Sequence, residues 1–401
     1  MRKSIPALRF KGFDGEWEES CLNNVAFFTK GYGYSKSDLC KAGTPIILYG
    51  RMYTNYEGII EYVDTYADDK PNSVYSKGTE VIVPASGESA EDIARASAVK
   101  KVGVLLGGDL NIIHPTSELD SIFLALTISY GKQQKALSKR AQGKSVVHLR
   151  NNDLKEISLS YPSLTEQIRI GSLFRNLDSL ITLEQQKYGK LKNLKKAMLE
   201  KMFPQPGATV PQVRFKGFSG EWEEKKFSSV GIFNPKAELP QQFRYVDLES
   251  VVGTELMSFR EETKVSAPSR AQRLAQFGDF FYQTVRPYQK NNYLFDKSDA
   301  DYVFSTGYAQ IRPICSGFFL HSLVQTIPFS NEVTIRCTGT SYPAISANDL
   351  ADISIYVPLD EKEQTRIGSF FRQLDSLIAL QQRKCAKLHT LKKALLGKLF
   401  L

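Results

Sequence analysis

An internal repeat limits this chain to two similar halves in tandem. The segment PALRFKGFDGEWEE, which begins at Pro6, recurs with three substitutions as PQVRFKGFSGEWEE from Pro211. A second matching pair begins at Glu166 and Glu363: EQIRIGSLFRNLDSLITLEQQKYGKLKNLKKAMLEKMF and EQTRIGSFFRQLDSLIALQQRKCAKLHTLKKALLGKLF. The first pair lies 205 positions apart and the second 197, so the second half has the shorter interior. Matching ends and divergent middles predict two domains built to one plan.

Composition narrows the class of protein. A chain of 401 residues is longer than one ordinary domain, and 42% hydrophobic residues exclude wholesale disorder. The formal net charge of +9 favours a polyanionic partner. Five scattered cysteines argue against a disulfide framework and indicate a reducing compartment. No apolar run approaches the roughly 18 residues of a membrane helix, and the start lacks the apolar core of a secretory signal. We therefore expect a cytoplasmic protein without a membrane partner.

The two middles, Cys21 to Tyr161 and Phe227 to Val357, combine β-branched and aromatic runs with Gly and Pro turns. Each predicts a globule of mixed α/β (α+β) class. Short helices are expected at AEDIARASAVK, from Ala90, and between Leu119 and Lys139.

The repeated segment that ends each half carries apolar residues at a period near 3.5, the spacing of a coiled-coil seam. No proline interrupts either segment, so each predicts a helix of about 38 residues, roughly 57 Å long. The predicted seam positions are Ile170, Phe174, Leu177, Ile181, Leu191 and Met198, and in the second copy Ile367, Phe371, Leu374, Ile378, Leu388 and Leu395. The equivalent position of each seam holds a polar residue, Glu184 in the first copy and Gln381 in the second. The alternative is that each helix packs only on its own globule.

Chain connectivity predicts the direction of the helix pair. The second globule must join the end of the first helix, near Pro204, to the start of the second, near Glu363. Domain termini usually lie close together, and a globule with a radius of gyration near 15 Å hardly spans a 57 Å coil. We expect an antiparallel coiled coil with one globule at each end, a pseudo-two-fold tandem repeat. The expected segments are 1–163, 164–204, 205–360 and 361–401.

The chemistry expected of an enzyme is missing. Gly143-Lys144-Ser145 resembles the end of a phosphate-binding loop, but Ser138 stands where that loop requires glycine. Gly31-Tyr32-Gly33 lacks the third glycine of a dinucleotide-binding loop. The four histidines have no His or Cys neighbours at metal-ligand spacing. We expect no catalytic residue, no metal and no cofactor in this chain.

Basic, amide and aromatic residues cluster in loop-like segments of both middles. Arg and Lys reach guanine edges, Asn and Gln pair with adenine, and Tyr and Lys hold phosphates. The candidates for DNA binding are Lys30, Tyr32, Tyr34, Lys36, Arg51, Tyr53, Asn55 and Lys144, and in the second half Arg286, Tyr288, Gln289, Lys290, Asn291 and Asn292. For each of them a solvated polar loop is the alternative.

The whole chain resembles the DNA-specificity subunit of bacterial type I restriction-modification systems. The resemblance rests on the motif P-x-x-x-EQ-x-x-IG-x-x-F-x-x-LD-x-x-I, which runs from Pro162 to Ile181. Its counterpart after Pro358 is one residue longer and ends at Ile378. The opening motifs with Trp17 and Trp222, and the NDL segments that end each globule, fit as well.

The resemblance implies two target-recognition domains that each read one half of a bipartite, asymmetric site in double-stranded DNA. It implies a chain that catalyses nothing and directs two modification subunits, which use S-adenosylmethionine to methylate adenine N6. Two restriction subunits, which use ATP and Mg²⁺, would complete the assembly. Three alternatives remain: a non-catalytic DNA-binding scaffold outside restriction-modification, an unrelated coiled-coil adaptor, and a single-chain restriction or modification enzyme.

Overall fold

The computed structural model describes residues 6–143, 146–298 and 301–400. It divides into two compact units. The first unit contains the chain up to Glu184 and from Lys384 onwards, and the second contains Gln185 to Arg383. Each unit therefore combines one globule with parts of both long helices. The segment boundaries expected from the sequence stay predictions.

The first globule contains two main sheets. Its strands are β1 (Glu18–Cys21), β2 (Ala26–Lys30), β3 (Leu39–Cys40), β4 (Thr44–Ile47), β5 (Ile59–Ile60), β6 (Tyr66–Ala67), β7 (Val81–Pro84), β8 (Ser86–Gly87), β9 (Ser97–Val99), β10 (Leu105–Leu106), β11 (Leu110–Pro115), β12 (Val147–His148) and β13 (Ser158–Tyr161). They form sheets of order β2-β11-β7-β9-β5 and β10-β4-β6-β3, besides the pairs β1-β13 and β12-β8. The helices are α1 (Leu22–Val25), α2 (Arg51–Thr54), α3 (Ala90–Ile93), α4 (Ser121–Tyr130), α5 (Lys132–Arg140), α6 (Asn151–Lys155) and the long α7 (Leu164–Lys201).

The second globule is built in the same way. Its strands are β14 (Glu223–Lys226), β15 (Gly231–Phe233), β16 (Gln242–Val246), β17 (Val251–Val252), β18 (Glu255–Leu256), β19 (Arg260–Thr263), β20 (Ala271–Leu274), β21 (Phe280–Gln283), β22 (Tyr293–Leu294), β23 (Tyr302–Ser305), β24 (Tyr308–Pro313) and β25 (Ser354–Val357). Its sheets have the orders β15-β24-β21-β22 and β19-β16-β23-β20, besides β14-β25 and β17-β18. The helices are α8 (Gly317–Leu323), α9 (Ile327–Arg336), α10 (Ala347–Ala351) and the long α11 (Glu361–Leu399).

The two middles share part of their topology although they share little sequence. In each, three strands form an antiparallel set, β2-β11-β7 in the first unit and β15-β24-β21 in the second. In each, the other main sheet contains one parallel pair, β4 with β10 and β16 with β23. The mixed α/β class expected for both globules is therefore confirmed.

Of the two short-helix predictions, one is confirmed and the other is wrong over most of its length. Helices α4 and α5 confirm the prediction between Leu119 and Lys139. The prediction for AEDIARASAVK is wrong beyond its first turn, because α3 ends at Ile93 and Ser97 begins β9. Strand β9 pairs with both β7 and β5, so non-local pairing outweighs the local helix preference of the segment's alanines.

The repeated opening motif is fastened to the start of a long helix by a buried ion pair in each unit. Arg9 donates two bonds, of 2.8 and 2.7 Å, to the two carboxylate oxygens of Glu166. Arg214 makes the same bidentate pair with Glu363, at 2.6 and 2.7 Å. Both glutamate side chains are only 1% exposed. The buried carboxylates explain why the two ends of each half repeat together.

The Gln and Gly of the repeated EQ-x-x-IG motif dock the long helix on the globule. Gln167 accepts from the backbone N–H of Asp120, the residue that caps α4, and donates to the Pro162 carbonyl. The helix approaches so closely that a Cβ on Gly171 would lie 3.2 Å from Asp120 Oδ1. At the equivalent Gly368 it would lie only 2.6 Å from the backbone nitrogen of Phe319. The glycines are therefore packing residues.

The two long helices run antiparallel within each unit. As positions on α7 rise, their partners on α11 fall. The pairs are Asp178 with Lys392 at 2.5 Å and Glu184 with Lys384 at 3.0 Å in the first unit, and Tyr188 with Gln382 at 3.4 Å and Lys195 with Asp375 at 2.5 Å in the second. Asp178 corresponds to Asp375 in the repeat, and Lys195 to Lys392. The same ion pair therefore forms twice with its partners exchanged, the pattern of a self-complementary interface.

The predicted seam residues are buried or half-buried at all twelve positions. Ile170 and Phe174 also belong to the apolar core of the first globule, as Ile367 and Phe371 do in the second. Each long helix thus packs on its own globule near its start as well as on the other helix. None of the helices in the described part of the chain combines the length and the apolar character needed to cross a bilayer.

One tryptophan is buried in each unit. Trp17 packs edge-on against Phe123, with ring centroids 5.7 Å apart. Trp222 packs against Phe203 and Phe319, at 5.9 and 5.8 Å. Since the chain contains two tryptophans, each unit has its own fluorescent reporter.

His321 on α8 should make the second unit sensitive to acid. Burial, helped by the nearby Lys195 ammonium, lowers the pKa of His321 to about 3. The unfolded chain has the ordinary histidine pKa of about 6.5, so between these two values only the unfolded state takes up the proton. His321 therefore does not change the folding stability above about pH 6.5, the pKa of the unfolded state. Between about pH 6.5 and pH 3, its titration lowers the folding stability by about 1.4 kcal/mol for each pH unit of acidification.

Denaturant unfolding followed by Trp222 fluorescence in a Trp17→Phe background measures this effect. Between pH 7 and pH 5 we expect His321→Gln to lose about 2 kcal/mol less stability than the unsubstituted protein. The comparison of slopes removes the contribution of every other titrating group. Parallel pH profiles would show that the folded unit accepts the proton freely.

Candidate functional site

Each globule contains a cleft at the carboxyl ends of its parallel strand pair. Because parallel strands end at the same edge of a sheet, the segments that follow them lie side by side. In the first unit these are the segment after β4, from Leu48 to Arg51, and the turn at Gly108 and Asp109 after β10. In the second unit they are the segment after β16, from Leu248 to Val252, and the turn at Thr306 and Gly307 after β23. The clefts occupy the same place in the shared topology.

The cleft of the first unit, here the first cleft, has a volume of about 820 Å³. Four of the residues predicted from the sequence line it: Tyr34, Lys36, Arg51 and Asn55. Lys36 and Asn55 are exposed. Tyr34 is buried, and its hydroxyl is bonded to Ser73.

The charge of Arg51 is compensated inside the first cleft. Its guanidinium donates to Glu57 at 2.8 Å and to Asp64 at 2.7 Å. The bond from Arg51 in turn holds the pKa of the Asp64 carboxyl below its ordinary value. Arg51 therefore fixes the wall of the first cleft and adds no uncompensated positive charge to it.

The cleft of the second unit, here the second cleft, has a volume of about 790 Å³. Three predicted residues line it: Arg286, Gln289 and Asn291. They lie on the segment that follows β21, which contains a single short 3₁₀ turn at Pro287–Gln289. Arg286 and Lys290 flank this turn with φ of 53° and 56°, in the left-handed region that residues with a Cβ rarely adopt.

A buried glutamine holds this segment in shape. Gln283, 1% exposed at the end of β21, donates from Nε2 to the Val285 carbonyl at 2.8 Å and to Gln289 Oε1 at 2.7 Å. Its Oε1 accepts from the backbone N–H of Asn291. Asn291 Oδ1 accepts from the backbone N–H of Gly253 at 2.8 Å. The side-chain acceptors of Gln289 and Asn291 are therefore engaged, while their NH₂ groups remain as donors.

Two other predicted residues serve the globules themselves. Asn292 is 2% exposed and accepts from the backbone N–H of Gln283, so it shapes the segment. Tyr53 donates its hydroxyl to the Ser86 carbonyl, and burial raises its pKa.

Four other candidates, Lys30, Tyr32, Tyr288 and Lys290, are not among the described residues that line the two clefts. Lys30, Tyr32 and Tyr288 are exposed. Lys290 donates to the Gln325 carbonyl at 3.4 Å, and burial lowers its pKa. Lys144 lies outside the described residues. DNA contacts by the exposed candidates stay predictions.

Sequence reasoning missed several lining residues. The first cleft also contains Tyr49 and Asp109, and the second contains Arg270 and Tyr342. Asp109 could have been suspected, because it follows two glycines directly before a strand and adopts a positive φ of 58°. Tyr342 lies more than 50 positions from Arg286, and no local pattern connects the two.

Residues 6–143, 146–298 and 301–400 contain no group of three His, Cys, Asp or Glu side chains placed to hold a metal ion.

Known proteins resemble this chain over most of its length. The putative type I restriction enzyme MjaX specificity subunit of Methanocaldococcus jannaschii is 23% identical over 325 residues, which cover 73% of this chain and 71% of the relative. The type I restriction enzyme MjaVIII specificity subunit of the same organism is 22% identical over 335 residues, 74% and 73% of the two chains. The crystal structure of a type I restriction-modification system S subunit from M. genitalium covers 99% of both chains with a TM-score of 0.61 at 16% identity. That structure shares the fold described above.

The family model gives the assignment. Residues 14–193 and 259–390 match the model of the type I restriction modification DNA specificity domain. The two matched segments fall in the two halves of the repeat and together cover more than half of the chain. The chain therefore belongs to the family of type I restriction-modification DNA specificity domains.

Proposed function

We propose that this chain is the sequence-specificity subunit of a type I restriction-modification complex, and that each cleft reads one half of a bipartite, asymmetric DNA site. One observation carries the proposal. The two clefts lie at the ends of corresponding parallel strand pairs, yet unlike side chains line them. A shared position suits one kind of ligand, whereas different linings suit two different base sequences.

The chemistry of the linings supports DNA as that ligand. Lys36 and Asn55 in the first cleft, and Arg286 and Asn291 in the second, are side chains that hold phosphates or base edges. The formal net charge of +9 favours association with a polyanion.

The repeated ends support two identical protein partners. Three repeat-equivalent leucines of the long helices are exposed in each unit, by 38–60%. They are Leu180, Leu183 and Leu391 in the first unit, and the repeat equivalents Leu377, Leu380 and Leu194 in the second. Equivalent apolar positions in both units suit two copies of one partner, which we propose to be the modification subunit.

In this proposal the chain itself is non-catalytic. The modification subunits would carry S-adenosylmethionine and methylate adenine N6. Two restriction subunits would hydrolyse ATP with Mg²⁺ and cleave unmodified DNA. The residues described here would bind and orient the double-stranded DNA for those partners.

Methylation mapping tests the proposal. The full chain is co-expressed with its modification subunit in a host that lacks DNA methylation, and N6-methyladenine is located by single-molecule sequencing. We expect one motif of two specific parts separated by an unread spacer, methylated on both strands. A stable complex that leaves the genome unmethylated, or methylates a continuous motif, would contradict the proposal.

Salt dependence separates a DNA reader from a protein-only adaptor. The logarithm of the duplex binding constant should fall linearly with the logarithm of salt concentration, since phosphate contacts release counterions. Duplex binding that does not respond to salt would exclude the phosphate contacts invoked here.

A further inference from the structure

Arg286 is held in the second cleft in a way that prepares its guanidinium for a ligand. Its backbone has a φ of 53°, a conformation that costs free energy for a residue with a Cβ. The surrounding segment enforces it, because the Arg286 N–H donates to the Pro343 carbonyl at 2.8 Å and Val285 bridges Ala344. Such conformations persist where the structure over-determines them, and they cluster at binding sites.

The side chain of Arg286 is positioned by an aromatic ring. Its guanidinium carbon lies 4.4 Å from the centroid of the Tyr342 ring. Within residues 6–143, 146–298 and 301–400, no side-chain hydrogen bond or ion pair involves this guanidinium. The contact with the aromatic face fixes the position of the guanidinium and leaves its N–H groups available to donate hydrogen bonds to a ligand. Arg51 in the first cleft differs, because its guanidinium forms ion pairs with two carboxylates.

The neighbours of Arg286 in the second cleft also present donors. The side-chain oxygen of Gln289 accepts a hydrogen bond from Gln283 Nε2, and that of Asn291 accepts one from the backbone N–H of Gly253. Each of these oxygens already accepts one hydrogen bond, whereas neither NH₂ group donates to a described residue, so N–H is the group that these two amides offer a ligand most readily. The base that matches such a surface is the one whose exposed edge carries acceptors.

Guanine is that base. In the major groove it presents the two acceptors N7 and O6, which arginine binds with two parallel hydrogen bonds. Adenine and cytosine place an amino donor on this edge, and thymine places a methyl group there. Resting on the proposed function, we infer that Arg286 reads a guanine in the half-site bound by the second unit, and that Tyr342 is the residue that positions it.

The test compares methylation motifs of variants of the full chain with its modification subunit. The unsubstituted protein should require guanine at one position of one half-site. Arg286→Ala should reduce the preference for guanine over the other bases at that position by about 5- to 150-fold, the range for one bidentate contact. The requirements of the other half-site should stay unchanged, which also shows that the variant is folded.

Tyr342 variants separate positioning from general stability. Tyr342→Phe retains the aromatic face and should keep the guanine preference, whereas Tyr342→Ala should lose most of it. Lys264→Ala removes a positive charge from an exposed site of the same unit outside the cleft lining, so it should leave the motif intact. These comparisons measure base preference, which a uniform loss of stability would not change.

The outcomes distinguish this inference from the proposed function. A two-part motif with no guanine in either half, or one whose guanine requirement survives Arg286→Ala, overturns the guanine assignment while the proposed function stands. Retention of the full preference in Tyr342→Ala overturns the role of Tyr342. Failure of the unsubstituted protein to produce any two-part motif overturns the proposed function itself, and the guanine assignment with it.

Discussion

Replacement of Arg214 by alanine should destabilise the second unit by about 3–5 kcal/mol, the usual cost of removing one partner from a buried ion pair. The Glu363 carboxylate is 1% exposed, and Arg214 supplies both of its bidentate hydrogen bonds. Without the guanidinium a buried charge is left uncompensated. Arg214→Lys should recover only part of the loss, because an ammonium cannot reproduce the planar two-bond geometry.

Urea unfolding in a Trp17→Phe background measures the effect, since Trp222 then reports the second unit alone. The matched control is Lys225→Ala, which breaks the exposed pair with Glu223 in the same unit. That pair should contribute less than about 1 kcal/mol. Equal losses for Arg214→Ala and Lys225→Ala would show that burial of Glu363 carries no special cost.

Replacement of Phe203 by alanine should also cost the second unit about 3–5 kcal/mol, as for other buried Phe to Ala changes. Phe203 follows α7, is 2% exposed, and packs 5.6 Å from Phe319 and 6.0 Å from Phe371. Its repeat equivalent, Phe400, fills the same place in the first unit, 5.8 Å from Phe123 and 5.9 Å from Phe174. Each core is thus completed by the end of the helix that begins in the other half of the sequence.

The two tryptophans make this arrangement testable. Phe203→Ala should shift the unfolding reported by Trp222, and Phe400→Ala should shift that reported by Trp17. Phe277→Ala is the control, because that side chain is 76% exposed and its loss should change stability by less than about 0.5 kcal/mol. A shift in Trp17 on replacement of Phe203 would mean that the end of α7 packs with the first unit instead.

Sequence reasoning went furthest where a pattern was long and periodic. The 3.5-residue repeat located both long helices, and connectivity predicted the antiparallel pairing that Asp178 with Lys392 and Lys195 with Asp375 make within their units. Its errors arose at short elements. The AEDIARASAVK segment reads as helix, but strand partners on both sides convert Ser97–Val99 into β9. Local propensity cannot weigh pairings with distant residues.

The site residues were predicted from their residue types. The residue type does not determine whether a side chain lines a cleft or is buried in the globule. Arg286 and Asn292 both belong to the polar run before Tyr293, yet one lines the second cleft and the other is buried beneath it. Arg51 looks like a free cation in sequence, but Glu57 and Asp64 compensate it in the folded chain. The tertiary structure, through burial and ion pairing, therefore decides which of these groups is available to a ligand.

The sequence by itself determined the two-part plan of this protein, because the same opening motif and the same apolar helix pattern occur in both halves and similar segments fold alike. The tertiary structure alone decided that the divergent middles share part of their topology, and that each has its cleft at the ends of one parallel strand pair. Strand β4 and its partner β10 are separated by nearly 60 positions, so their meeting leaves no local signature. The same holds for Arg286 and Tyr342, which non-local backbone pairing brings into contact.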